Sequence, residues 1–323
     1  MAVAVVIVNY NSGEMLRECI EALECQTHRA DKVVIIDNGS TDNSLDVPGL
    51  AAPNCQIVRA GENIGFAAAN NCAFKQLSDC RWIALLNPDA LPAQNWLEAL
   101  LSAARKNPDT GIFASRLIST TAPNYLDGVG DEYHVSGLYW RRGHGAPAAT
   151  TALSTSEVFS PCAAAAMYRI DLLREIGGFD ENYFCYAEDV DLGFRLRLAG
   201  YHCLYVPDAV AYHMGSAITG RRSDFTVYHG HRNLVWTYFK NMPWPLFWLY
   251  LPQHILLNVI TLGWFSFRGQ AKVIFKAKWD ALKGLPQVLR ERKKVQSKRR
   301  ISAWELRRVM AKGLFRPYFR HRM

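Results

Sequence analysis

The 323-residue chain has no CxxC pair, no GxGxxG after its first apolar run and no charged residue between Trp244 and Phe267. Its eight cysteines, at 19, 25, 55, 72, 80, 162, 185 and 203, are scattered and partly inside apolar runs. Neither a zinc site nor a disulfide framework is therefore expected, and a reducing compartment fits best. Gly13 stands almost alone after the first run, so the dinucleotide fingerprint is absent. A nucleotidyltransferase would want a Gly- and Arg-rich phosphate loop there, and Asn9-Tyr10-Asn11-Ser12-Gly13 does not supply one. Ala2 to Val8 has no basic region ahead of it and is too short for a signal or anchor, which predicts a buried first strand and a cytoplasmic bulk. His229-Gly230-His231 has two imidazoles but no acid or cysteine beside them, so it is not expected to hold a metal.

What is present is a hydrophobic composition of 50%, enough to bury a large α/β core with an appendage. The net charge of +8 conceals an asymmetry: 18 of the 37 Lys and Arg but 3 of the 29 acids lie from Arg268 to Met323. That is a local +15 against −7 for residues 1–267, so the two parts face different partners.

Val3–Val8 and Lys32–Asp37 read as strands covered on both faces, and Gln56–Val58 and Trp82–Asn87 as a third and a fourth strand. Helical spacing falls at Glu14–Cys25, Asn63–Leu77 and Pro92–Arg105, which gives the alternation of an open, mostly parallel sheet flanked by helices. Ligands of such sheets bind on the rim beyond the strand ends. Asp37-Asn38-Gly39-Ser40 and Asn87-Pro88-Asp89-Ala90 fall there. From Gly111 to Glu157 the pattern weakens, Arg141–Gly145 is its most loop-like part, and a mobile lid or acceptor-side loop is expected. Regularity returns at Pro161–Tyr168, in helices over Asp171–Ile176 and Glu188–Ala199, and in a strand over His202–Val206 that leads through Pro207 to His213.

Trp244–Phe267 is long enough for a membrane span. Pro245, Pro252, Gln253, His254 and Asn258 interrupt it, and its aromatics cluster at both ends, which favours interfacial insertion over a span. With the basic tail behind it, the segment forms a two-signal anchor for an anionic membrane surface. No RNA or DNA module accompanies the tail, so nucleic acid is not an expected partner. Two units are expected: residues 1–240 as a catalytic domain, and 241–323 as a membrane-associating apolar segment plus a basic helical tail.

The segments Ile7–Asn11, Ile36–Asp42, Glu62–Asn71, Asn87-Pro88-Asp89, Ile176–Glu181 and Glu188–Leu192 together resemble the family 2 glycosyltransferases. More narrowly, they resemble the rhamnosyltransferase-type branch that works on lipid-linked polysaccharide precursors. The likeness runs from residue 3 to about residue 235. It implies the GT-A fold and an inverting, metal-dependent transfer from a nucleotide-diphospho-sugar. A dTDP- or UDP-sugar donor is expected, with L-rhamnose from dTDP-rhamnose as one candidate. The implied acceptor is a polyprenyl-diphosphate-linked saccharide at the cytoplasmic face of the membrane, in cell-envelope polysaccharide synthesis.

Asp189 matches the family's base, which takes the acceptor hydroxyl's proton during attack. A divalent cation, Mg2+ or Mn2+, would neutralise the departing diphosphate, and Asp89 is its main candidate ligand. Most of the family carries two acids separated by one residue at this turn. Here Asn87 replaces the first, leaving a neutral or water-mediated ligand. His213 sits where some relatives place a histidine on the metal. Asn9, Tyr10 and Asp37 resemble the positions that hold ribose and base, and Asn63 and Gly65 open the next helix, where free N–H groups could meet the donor. Arg59, Arg221, Arg222 and Arg232 are candidates for phosphate contact. The Asn87 departure also leaves open a catalytically inactive membrane-bound scaffold with the same fold.

Overall fold

The structure is a computed structural model that describes residues 2–215, 220 and 223–314. Arg221 and Arg222, named above for phosphate contact, lie outside the described residues.

The chain opens as alternating strands and helices: β1 (Val3–Asn9), α1 (Glu14–Glu24), β2 (Lys32–Asp37), β3 (Cys55–Arg59), α2 (Phe66–Gln76) and β4 (Trp82–Leu86). All seven residues of β1 are buried, as its unbroken apolar run requires of a strand covered on both faces. Odd positions Val3, Val5 and Ile7 join one core with α1 and α3, while Ala4, Val6 and Val8 join another with α2. This is the period-two alternation of a strand expressed as two separate cores. Short β5 (Ala90–Pro92) leads into α3 (Trp96–Lys106).

The second half supplies β6 (Ile112–Ser119), β7 (Leu126–Gly128), β8 (Asp131–Tyr133), β9 (Tyr139–Arg141), β10 (Ser156–Val158) and β11 (Ala165–Arg169), then α4 (Ile170–Ile176), α5 (Glu188–Leu198) and β12 (Cys203–His213). The main sheet runs β10-β12-β6-β11-β4-β1-β2-β3, with β5 paired to β12 and β7 to β6. Strands β4, β1, β2 and β3 are parallel, and β11 is the antiparallel element that joins them to the parallel β6–β12 pair.

Two expectations need correction. The stretch 111–157 is not one loop, because β6 sits in the middle of the sheet and β7 to β10 follow it. β6 escaped a periodicity reading because buried Arg116 interrupts it; its guanidinium is satisfied by the carbonyls of Thr151 and Ala152 and by Tyr205 Oη. The strand expected over His202–Val206 runs on to His213, with an irregular register between Tyr205 and Val210 that takes in Pro207.

Four helices close the described chain: α6 (Asp224–Asn241), α7 (Trp244–Phe267), α8 (Ala271–Ser297) and α9 (Ala303–Val309). A third core joins Tyr133, Phe159 and Phe194 to Tyr238, Leu246, Phe247 and Leu306, so the C-terminal helices pack directly on the sheet domain. The expected basic tail is mostly α8. It lies along α6, where Trp236 Nε1 donates to Ala281 O (3.0 Å) and Gly284 admits the Trp236 ring at a distance no Cβ could share. All eight cysteines are free thiols.

Candidate active site

The parallel strands end together. Asn9, Asp37 and Arg59 stand side by side in register at the tips of β1, β2 and β3. Asn9 is fully buried, and its Nδ2 donates to Ser40 Oγ (3.0 Å) and Ser44 Oγ (2.8 Å). Asp37 accepts from Ser40 N (3.2 Å) and faces Arg59 at 3.7 Å. The Asn38 amide ties this turn to the next: its Nδ2 donates to Asn63 Oδ1 (2.9 Å), and its Oδ1 accepts from Ile64 N (2.9 Å). Asn63 Oδ1 also takes Gly65 N–H (3.0 Å). Gly65 has φ +85°, and a Cβ there would lie 2.6 Å from the Phe184 ring, so glycine is required on both counts. Tyr10 is partly exposed beside this rim. Asn9, Asn38 and Asn63 line this edge with side-chain amides.

The other half of the rim carries the charges. Antiparallel pairing of β5 with β12 sets His213 opposite Ala90 and brings its Nε2 to 3.4 Å from Asp89 Oδ1. Both side chains are buried. His213 Nδ1–H donates to Asp127 Oδ2 (2.7 Å), a carboxylate on β7. That bond fixes the ring and turns Nε2 towards Asp89, where it is buried without a hydrogen bond. Burial alone would lower the His213 pKa, but Asp127 and Asp89 outweigh it and raise it. Asp127 also pairs with Arg141 and lies 3.5 Å from His144 Nδ1. These cationic partners override its burial and hold it well below the usual carboxylate range. Asn87 is half-buried at the end of β4, its N–H donating to Ala164 O (2.9 Å).

Asp189 stands at the start of α5. Its oxygens accept from Ala163 N (3.3 Å) and Val190 N (2.8 Å), and part of its surface stays open. Burial raises its pKa against the pull of those two donors and of Arg141. Its neighbours Asp131 and Glu188 are raised further, first by burial and then by the charge of Asp189. Asp191 differs from Asp189 in kind. It is fully buried and meets Lys240 (2.7 Å), Arg195 (2.8 Å) and Asn241 Nδ2 (2.7 Å), which makes it a fastening between α5 and α6.

The loop before Asp189 is strained: Phe184, Tyr186 and Ala187 all have positive φ, a conformation costing about 1–3 kcal/mol per non-glycine residue. Buried Asn233 of α6 holds it, donating Nδ2 to Tyr183 O, Cys185 O and Tyr186 O at 2.7–3.0 Å. Arg232 is committed to Tyr183 O and to the Trp236 ring, so it is not placed to receive phosphate. His229 stacks on Phe184 and His231 against Phe265, and burial lowers their pKa values to about 4 and about 3.

Asp127, Asp131, Arg141 and Asn233 were not singled out as site residues by sequence reasoning. The first three lie on three-residue strands too short to show a period, and Asn233 lies inside an ordinary helical run. Among the described residues no group of three or more His, Cys, Asp or Glu has the geometry to hold a metal alone. Asp89 and the orphaned His213 Nε2 do fit a cation whose remaining ligands come from a bound diphosphate.

A mostly parallel sheet with flanking helices and a polar rim of this layout defines a glycosyltransferase fold of the GT-A type. The chain belongs to glycosyl transferase family 2, whose family model matches residues 4–177. Over 237 residues it is 31% identical to an N-acetylglucosaminyl-diphospho-decaprenol L-rhamnosyltransferase of Mycobacterium tuberculosis, covering 67% of this chain and 77% of that one. A pre-mycofactocin glycosyltransferase of the same organism is 30% identical over 220 residues, 65% of this chain and 42% of the relative. Among solved structures, GalNAc-T7 with UDP, GalNAc and Mn2+ aligns at TM-score 0.59 and 16% identity, covering 73% of this chain and 47% of that one. The mannosyltransferase PcManGT of Pyrobaculum calidifontis, solved with GDP-Man and Mn2+, aligns at TM-score 0.52 and 18% identity over 92% of this chain and 85% of that one.

Proposed function

We propose that the chain transfers a sugar, with inversion, from a nucleotide-diphospho-sugar to a polyprenyl-diphosphate-linked saccharide at the cytoplasmic face of the membrane. The observation that carries this is the chain of charges that runs from Asp189 through Arg141 and Asp127 to the Asp89–His213 pair, in a sheet whose parallel strands carry Asn9 and Asp37 at their ends. Family membership and the decaprenol-linked acceptor named for the mycobacterial relative support the acceptor class. L-Rhamnose from dTDP-rhamnose is the first donor to test, with UDP-sugars next.

In this reading Asp37 accepts from a ribose hydroxyl or a pyrimidine N–H, and Asn9 and Tyr10, after the first strand, border the nucleoside. Asn63 and Gly65 shape the turn that opens α2; contrary to the expectation of free N–H groups there, those of Ile64 and Gly65 are taken by the Asn38 and Asn63 side chains, so this turn would contribute shape to the donor site and not free donors. Asp89, His213 and, directly or through water, Asn87 would hold a divalent cation, Mg2+ or Mn2+, which offsets charge on the leaving diphosphate when bound. Asp189 takes the acceptor hydroxyl's proton as that oxygen attacks the anomeric carbon from the face opposite the diphosphate. Its raised pKa makes the carboxylate a stronger proton acceptor. A single displacement needs no second, nucleophilic carboxylate.

The test is transfer of labelled sugar from dTDP-rhamnose and UDP-hexoses to a short-chain polyprenyl-diphosphate saccharide, with the product's anomeric configuration read by NMR. Inverted product formed only with a cation supports the proposal. Retained configuration overturns the mechanism, and failure with every donor favours the inactive scaffold.

A further inference from the structure

Helix α7 leaves one face bare although its other face is fastened to the protein. Leu246, Phe247, Tyr250, His254 and Leu257 recur at helical spacing and are buried. His254 Nδ1 lies 2.8 Å from Ser136 O, and its ring stacks on Tyr238 at 4.0 Å. Leu246 to Leu257 is about 17 Å of helix locked to the domain. Only Asn258 to Phe267 remains, about 15 Å, half of what a bilayer's hydrocarbon core requires. The helix therefore cannot span while the domain stays folded in water.

The opposite face carries Trp248 (63% exposed), Ile255, Val259 and Phe267 (95%). The antiparallel neighbour α8 repeats the pattern: Ile274, Ala277 and Ala281 face inward, while Phe275 (59%), Trp279 (60%) and Leu282 stand outward at i, i+4 and i+7. Cations flank both stripes. The Arg268 guanidinium lies 4.3 Å over the Trp264 ring and Lys283 Nζ lies 5.4 Å from that of Trp279, with Lys272 and Lys276 exposed alongside. Soluble proteins rarely leave so many large apolar side chains uncovered on two helices packed side by side. Aromatics with adjacent basic groups suit the boundary between acyl chains and anionic headgroups.

We propose that the outer faces of α7 and α8 form a docking surface that lays this helical hairpin flat in the interface of an anionic bilayer, without crossing it. This deepens the proposed lipid-linked acceptor and rests on that reading only for its purpose, because docking is measurable without turnover.

The experiment uses the full chain in flotation with phosphatidylcholine vesicles and with vesicles that also contain phosphatidylglycerol. The comparison protein is the triple variant Trp248→Ser, Phe275→Ser, Trp279→Ser, with nucleotide binding and thermal melting checking that it is folded. The wild type is expected to float with anionic vesicles, more weakly with neutral ones, and the variant's partition is expected to fall at least roughly tenfold. Native membranes washed with alkaline carbonate should release the protein. A folded variant that floats like the wild type, a wild type that never floats, or retention after carbonate overturns the proposal. So does a wild-type dimer that the triple variant dissolves, since a second copy would then be what covers the face. A protein that docks as stated but transfers no sugar refutes the proposed function and leaves the docking surface standing.

Discussion

The two halves of the rim are built by different means. Beside β1, β2 and β3 the site is built from amides and turn backbone: Asn9, Asn38 and Asn63 bond each other's loops, and Asp37 is its one buried acid. Beside β7, β8 and β12 it is built from buried charge, with Asp127, Asp131, Arg141, Asp189 and His213 in electrostatic contact. Neutral amides fix a shape without depending on nearby charge, whereas buried charges tolerate the loss of a partner poorly.

Substitutions in the charged half should accordingly have the larger effects. Asp189→Asn is expected to lower kcat by about 10²- to 10⁴-fold while leaving nucleoside diphosphate affinity within a factor of about three, measured by transfer assay and calorimetry. Near-normal turnover would remove the base assignment. In the fastening behind that half, Asp191→Ala leaves Arg195 buried without its carboxylate and Lys240 with Asp180 alone, and should cost about 3–5 kcal/mol of stability, read from denaturant midpoints. Asp127→Asn, which loosens the His213 ring, should weaken Mn2+ binding by about 10- to 100-fold in a spin-resonance titration, whereas Asn63→Ala in the amide half should leave it unchanged. Equal effects of those two would erase the distinction between the halves.

The smallest effect is on acid stability. Asp180 is half-buried beside Lys240, which outweighs the desolvation and lowers its pKa from 3.8 to about 2. A depressed carboxylate contributes its stability above the unfolded-state pKa and loses it as pH falls through the folded value, here from roughly pH 4 to pH 2. The loss from this group is about 2 kcal/mol, and Lys240→Met should flatten that limb of the stability profile.

The amide half was also the readable half. β1, β2 and β4 are continuous apolar runs, and their Asx-rich ends mark the rim directly. The charged half was readable only at Asp89, Asp189 and His213, and there through resemblance to a family. What the sequence hid are pairings of long range and short elements: Asp127 meets His213 across 86 positions, and β7, β8 and β9 have three residues each. A three-residue strand has no period to detect, and β6 was masked by the buried arginine that it needs. The C-terminal helices show the converse. Their apolar and basic character was plain, but which face of α7 is occupied depends on His254, Ser136 and Tyr238 meeting in three dimensions.

The central claim is that a cation joins the two halves of one nucleotide-sugar site. Its most direct test is calorimetric titration of dTDP and UDP into the protein with and without Mn2+, repeated with His213→Ala. The account predicts that Mn2+ tightens binding of at least one nucleotide by tenfold or more, and that His213→Ala removes most of that gain while the weak cation-free binding at the Asp37 edge remains. Binding equally strong without the cation, or a gain untouched by His213→Ala, would contradict it.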